Sequence, residues 1–173
     1  MAHSVRSYCW GAAIAANEGW SFDTRILWSA ALFHDVGLTT TASNTMCFEV
    51  QGAELAREAL ERFGMAADNA ERVAIAIILH MQPGVTLDDG VESVLLDRAT
   101  AVDVRGVEVE LVESVRSDVM RAYPRGAFDR HFVRAVSREV ARRRDCQSAR
   151  LLGDGDLVEW MARSPWAAEA TPA

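Results

Sequence analysis

Apolar residues recur along most of this chain at spacings of three and four, which is the period of one face of an α-helix. In the first such segment, residues 5–16, they mark one apolar face, and Gly19 is placed to end that helix. A second helix is predicted from Thr24 to about Asp35, with Ser21 or Asp23 as its N-cap. It is apolar on most sides, so we expect it to lie at the centre of the fold.

The same periodicity predicts six further helices. They span residues 48–63, 68–80, about 91–104, 107–123, 127–146 and 154–162, with polar loops at 39–44 and 81–90. Residues 77–79 and 91–96 could also be short buried strands, but the flanking alanines and arginines favour helix. The pattern therefore predicts an all-α bundle of about seven to eight helices in one domain over residues 1–163, followed by a loose tail at 164–173.

Composition fits this prediction and excludes several classes of function. A chain of 173 residues that is half apolar and one quarter charged is typical of one globular domain. The net charge of −7 argues against nucleic acid as a partner. All 18 basic residues are arginine, and the absence of lysine excludes Schiff-base and P-loop lysine mechanisms. No apolar run approaches the roughly 18 residues that span a bilayer, so no membrane partner is expected.

The three cysteines, Cys9, Cys47 and Cys146, are odd in number, far apart and without a C-x-x-C pair. This spacing supports neither a zinc ribbon nor a disulfide framework. Together with an N-terminus that lacks a signal pattern, it predicts a reduced, cytoplasmic setting.

Candidate chemistry begins with the adjacent pair His34–Asp35 at the end of the apolar second helix. Neighbouring side chains inside a helix diverge by about 100°, but at a helix C-terminus both can point into one cavity. An imidazole and a carboxylate together suit a divalent ion of the zinc or iron type. The alternative is a core histidine beside a helix-end acid. A carboxylate buried at a helix C-terminus needs a cation, however, since both burial and the helix dipole disfavour it.

An ordered set of four residues resembles the HD-domain superfamily of metal-dependent hydrolases. The set is His3, His34, Asp35 and Asp103. Within that superfamily the chain is most similar to the cyanamide-hydratase-like group. The segments that carry this likeness are HSVR at 3–6 followed by Trp10-Gly11, HDVGLT at 34–39, FEVQGA at 48–53 and AIILH at 76–80. The resemblance implies that the four residues bind one Zn²⁺ or Fe²⁺. A second metal is not expected, because no histidine lies between His80 and Asp103.

The reaction implied by this resemblance is attack of metal-bound hydroxide on an electrophilic, nitrile-like carbon of a small molecule, as in the conversion of cyanamide to urea. Asp35 and His80 would then be catalytic, His80 as a proton donor or substrate contact, unless it is a surface histidine. Glu49 would accept a hydrogen bond from a ligand histidine, or is simply an acid favoured at a helix start. Thr39 and Arg6 would line the substrate pocket, although Thr39 also fits a polar loop.

Two other functions remain open at this point. A phosphohydrolase acting on a nucleotide monophosphate would need cationic clamps, for which Arg6 and Arg105 are available. A non-catalytic interaction module with the same fold is the other alternative. Relatives carry a helix before the first ligand, so a start two residues before His3 suggests either a shortened front or cover from a second subunit in a homodimer. His131 and the run Arg142–Arg144 are predicted to lie on the surface.

Overall fold

The computed structural model describes residues 1–39, 46–153 and 156–166. Within these ranges the protein forms ten α-helices and two 3₁₀ helices and no strand, so the predicted all-α fold is confirmed. The α-helices are α1 (Ala2–Glu18), α2 (Thr24–Phe33), α3 (Val36–Thr39), α4 (Phe48–Arg62), α5 (Ala67–Leu79), α6 (Val91–Arg105), α7 (Glu113–Ala122), α8 (Phe128–Arg142), α9 (Gln147–Gly153) and α10 (Asp156–Arg163). The 3₁₀ helices are Leu87–Asp89 and Val109–Val112. None of the described helices is both long enough and apolar enough to cross a membrane.

All eight predicted helices are present, and the two additional ones, α3 and α9, are short. Helix α1 ends directly before Gly19, as predicted. Asp23 caps α2, since its carboxylate accepts hydrogen bonds from the backbone N–H groups of Arg25 and Ile26. The strand alternatives are wrong, because residues 77–79 belong to α5 and residues 91–96 to α6. Most of the predicted loop at 39–44 lies outside the described residues.

Helix α6 separates two apolar clusters, and α2 lies within the larger one, in agreement with its predicted central position. On one side α6 packs with α1, α2 and α5 around the main core, which includes Trp10, Ile14, Leu27, Ile77 and Leu95. On the other side Val104 of α6 packs with Val136, Leu157 and Met161 of α8 and α10. Eleven of the fifteen residues of α6 are buried, including the polar residues Glu92, Thr100 and Asp103, so this helix is buried on several faces.

The chain end is packed where the sequence predicts a loose tail. Ser164 and Trp166 are buried, so the loose tail cannot begin at residue 164; residues 167–173 lie outside the described part. The Trp166 indole stacks on Trp10, with ring centroids 5.8 Å apart, and its Nε1–H donates to the carbonyl of Val102 at 2.7 Å. Gly106, with φ +69°, ends α6 beneath this segment, and a Cβ there would meet the Pro165 ring at 2.3 Å.

A disulfide joins Cys47, just before α4, to Cys146, just before α9. The prediction that the chain forms no disulfide is therefore wrong. The two residues are 99 positions apart, and only the packing of α8 and α9 beside α4 brings their Cα atoms to 5.6 Å. The backbone N–H of Phe48 donates to Glu139 of α8 at the same place, 3.2 Å from Oε1. The cysteines thus no longer support a reduced compartment, and the cytoplasmic location stays a prediction without that argument.

Reduction of this disulfide is expected to lower the free energy of unfolding by about 2–4 kcal/mol, because the bridge closes a long loop in the unfolded chain. Urea unfolding with and without a dithiol reductant measures the change. The double variant Cys47→Ser/Cys146→Ser should reproduce it, whereas Cys9→Ser should respond to reductant as the wild type does. An unchanged unfolding midpoint on reduction would contradict the prediction.

Candidate metal centre

His3 lies in the first turn of α1, where its side chain is buried between α6 and α8. Its Nδ1–H donates to the Asp103 carboxylate at 2.7 Å, and its ring stacks on Phe128 at 4.6 Å. Because an ionised carboxylate only accepts hydrogen bonds, this contact places the ring proton on Nδ1. In the neutral ring, the lone pair of Nε2 is then free to bind a metal ion.

His34 follows the last residue of α2 and is almost completely buried. Its Nδ1–H donates to the backbone carbonyl of Ala31 at 2.8 Å, which again leaves Nε2 as an acceptor. Burial lowers the pKa of His34, so the ring is neutral at physiological pH.

Three acceptor atoms converge at the end of α2. The Nε2 atoms of His3 and His34 lie 3.1 Å apart, and Asp35 Oδ2 lies 3.6 Å from the first and 3.4 Å from the second. Two lone pairs and a carboxylate oxygen repel one another at such distances unless a cation or a proton lies between them. Among the described residues these three form the group whose ligand atoms are close enough to share one metal ion. An N₂O donor set of this kind suits zinc or ferrous iron.

Asp103, predicted as the fourth ligand, contacts Nδ1 of His3 and is not one of the three residues whose ligand atoms converge. Its Oδ2 accepts from His3 and from Arg6 Nη2 at 2.8 Å, and its Oδ1 accepts from Arg6 Nε and Trp10 Nε1, both at 2.8 Å. Burial works to raise the pKa of Asp103, but the hydrogen bonds from His3 and Arg6 outweigh it and hold the pKa far below its usual range. The carboxylate is thus ionised and saturated with donors, and it orients His3.

His80 follows α5 and stands beside His34, with ring centroids 5.1 Å apart. It is buried, so the alternative of a surface histidine is wrong. Its Nδ1–H donates to the carbonyl of Ile77 at 2.5 Å, and burial lowers its pKa to about 4. His80 is therefore neutral near pH 7, and its Nε2 is a proton acceptor at the edge of the cluster.

The cluster opens into a cavity of about 390 Å³, a size typical of small-molecule sites. One wall is a single face of α6, formed by Asp97, Thr100, Ala101, Val104 and Arg105. The opposite walls come from the segment after α5 and from α8, α9 and α10. These walls contribute Met81, Gln82, Pro83, Gly84, Phe132, Gln147, Leu151, Leu157 and Trp160.

The other predicted site residues lie elsewhere. Thr39 is exposed and donates to the carbonyl of Val36, and it does not line the cavity. Glu49 is buried, but within the described ranges no hydrogen bond or ion pair joins it to a histidine. Its environment is instead set by burial, which raises its pKa, and by the nearby charges of Glu139 and Arg143. Arg6 is fully buried and committed to Asp103 and to the carbonyl of Tyr123.

The two surface predictions have different outcomes. His131 is exposed, as predicted. In the arginine run, Arg142 and Arg144 are exposed, but Arg143 is buried in an ion pair with Glu139, so the prediction of a solvated run is wrong at that position.

Sequence reasoning missed Asp97 and the aromatic residues that contact or face the cluster from α8. Asp97, Thr100, Ala101 and Val104 follow the spacing of one helix face, so an acid on that face could have been recognised as a site residue. Phe128 and Phe132 offered no comparable signal, because aromatic residues at helical spacing are usual in any core.

Comparison with known families adds one match to this geometry. A family model described as HD domain matches residues 1–122, which is more than two thirds of the chain. The match includes the three converging ligands, His80 and the α6 wall, whereas α8, α9 and α10 lie beyond it. No curated protein matches the chain.

Proposed function

The chain belongs to the HD-domain family, whose members are typically metal-dependent hydrolases, and we propose that it hydrates an electrophilic, nitrile-like carbon of a small molecule. The observation that carries this proposal is the convergence of His3 Nε2, His34 Nε2 and Asp35 Oδ2 at one end of a small-molecule cavity. The similarity of the 3–6, 34–39, 48–53 and 76–80 segments to cyanamide-hydratase-like proteins supports the choice of electrophile.

His3, His34 and Asp35 would hold one divalent ion, Zn²⁺ or Fe²⁺. When bound there, such an ion supplies Lewis-acid chemistry, which lowers the pKa of water from 15.7 to about 7. Asp103 keeps the proton of His3 on Nδ1 and so keeps Nε2 available as a ligand. The carbonyl of Ala31 does the same for His34.

His80 is the residue best placed to move a proton. Its Nδ1 is committed to Ile77, so Nε2 can take the proton that water loses as its oxygen bonds to the nitrile carbon. The same Nε2–H can then pass that proton to the nitrogen of the former nitrile. These two transfers add water across the C≡N bond to give the imidic acid, and movement of its remaining O–H proton to the same nitrogen gives the amide, so there is no leaving group.

Attack on carbon is favoured over attack on phosphorus because the described residues give the cavity one cationic side chain, Arg105, rather than a clamp of several. Arg6, the clamp closest to the cluster in sequence, is enclosed and neutralised by Asp103. Arg105 lines the cavity, but it lies over the Trp160 ring at 5.3 Å, and Asp35 and Asp97 oppose its charge. A single arginine whose charge is shared with two carboxylates would leave most of the oxygens of a phosphate dianion to the metal ion alone.

The test is turnover of a panel by purified protein loaded with Zn²⁺ or Fe²⁺. The panel contains cyanamide, simple nitriles and nucleoside monophosphates, and the assays detect urea, amide or phosphate. We expect urea or amide release that is lost with a chelator and restored by the metal. Release of phosphate alone would favour the phosphohydrolase. No turnover of any compound in the panel, with or without added metal, would favour a non-catalytic module.

A further inference from the structure

The cavity next to the cluster presents mostly hydrogen-bond acceptors to a ligand. His80 offers Nε2, since its Nδ1–H is used by a backbone carbonyl. Thr100 offers only its oxygen lone pairs, because its hydroxyl donates to the carbonyl of Asp97 at 2.9 Å. Asp97 adds a carboxylate outside the proposed metal centre, which would occupy Asp35, and Arg105 is the one permanent cation among the described lining residues. Away from the metal centre, such a cavity favours a ligand that brings N–H donors to Asp97, Thr100 and His80.

Asp97 is the acceptor for which the protein itself provides no donor. No hydrogen bond or ion pair to its carboxylate is found in the described part of the chain, although the residue is half-buried. Its neighbour Arg98 is committed to Glu108 and Glu18, and Arg105 lies over Trp160. Burial raises the pKa of Asp97 to about 6, although the nearby charge of Arg105 acts to lower it. A donor from a ligand would relieve that cost of burial.

We propose that Asp97 is a specificity-determining residue that binds a cationic nitrogen group, an amine or amidine, of the substrate. The reacting carbon of the same molecule would lie at the His3–His34–Asp35 cluster. Only the identity of that reacting end rests on the proposed function.

The position of Asp97 on α6 sets the length of such a substrate. Asp97 precedes Asp103, which contacts His3, by six residues, or about 9 Å along the helix axis. The cationic group would therefore be separated from the reacting carbon by several bonds. A cavity of about 390 Å³ accommodates a molecule of that length and is far larger than cyanamide itself requires.

Binding of three probes of one shape to the metal-loaded protein tests the assignment: benzamidine is cationic, benzamide neutral and benzoate anionic. We expect benzamidine to bind most tightly by isothermal titration calorimetry. Asp97→Asn should weaken benzamidine roughly 10- to 100-fold, the range for a lost charge-assisted hydrogen bond, and leave benzamide nearly unchanged. Glu110→Gln, which removes an exposed carboxylate outside the cavity, is the matched control and should bind all three as the wild type does.

Equal binding of benzamidine to the wild type and Asp97→Asn would overturn the proposal, as would a wild type that prefers benzoate. Should Asp97→Asn fail to fold, as judged by circular dichroism, the preference of the wild type among the three probes still decides. His34→Ala separates this proposal from the hydratase proposal. It should lose metal and turnover but keep the preference for benzamidine, so that failure of one proposal does not imply failure of the other.

Discussion

Asp103→Ala is expected to lower the free energy of unfolding by about 3–5 kcal/mol, the range for breaking a buried ion pair by removing one partner. Asp103 is fully buried and accepts four hydrogen bonds, from Arg6, Trp10 and His3. Arg6 is also fully buried, and Arg125 lies 3.4 Å from the same carboxylate. Without Asp103, these cations would lose the anion that compensates their desolvation.

Urea unfolding of the wild type and the variant measures this loss. The double variant Arg6→Met/Asp103→Leu should recover much of it, because an apolar pair of similar volume leaves neither of these two charges uncompensated. Asp118→Asn is the surface control. It removes one partner of an exposed ion pair with Arg121 and should change stability by no more than about 1 kcal/mol. A loss in Asp103→Ala as small as in this control would show that the buried network does not hold α1 to α6.

His34→Ala is expected to abolish metal binding and to reduce turnover by roughly 100-fold or more, because it removes one of three converging ligand atoms. Asp103→Asn should act more mildly. It keeps the shape of the side chain but weakens the support of His3, and residues that support a metal ligand in this way change metal affinity by about 10- to 100-fold. The two variants therefore separate a direct ligand from a residue that positions one.

Metal content after dialysis against buffered free Zn²⁺, with the affinity measured by competition with a chelator, provides the comparison. His131→Ala is the matched control, since it removes an exposed histidine outside the cluster and should retain full metal content. Metal retained by His34→Ala would rule out the proposed centre. Loss of metal from Asp103→Asn as complete as from His34→Ala would instead make Asp103 a direct ligand, as the family resemblance implies.

The helices of this protein could be predicted because the information for them is local. Apolar spacing of three and four recurs within each segment, and single residues such as Gly19 and Asp23 mark the ends of α1 and α2. His34 and Asp35 could be predicted to lie close together for the same reason, because they are adjacent in the chain. The two missed helices, α3 and α9, contain four and seven residues, too few for a period of 3.6 to be distinguished from a turn.

The partners of each site residue could not be predicted in this way. Asp103 and Asp35 are both acids at or near helix ends, but only the packing of α1 against α6 decides that Asp103 meets Arg6, Trp10 and His3. Asp35, by contrast, keeps an oxygen directed at the two histidine nitrogens. The family resemblance implies that Asp35 and Asp103 are both metal ligands. In the structure Asp103 is surrounded by hydrogen-bond donors, whereas Asp35 lies beside the two histidine Nε2 atoms.

By itself, the sequence determined the all-α fold, the end of α1 at Gly19 and the pair His34–Asp35 as candidate ligands, to which the family resemblance added His3. The tertiary structure alone decided which atoms converge, that Cys47 pairs with Cys146, that Trp166 is buried on Trp10, and that Asp97 lines the cavity. The physical reason is the range of the forces involved. Helix formation and capping depend on residues within about one turn. Burial, ion pairing and ligand convergence depend on distances between residues that can be a hundred or more positions apart, which periodicity does not encode.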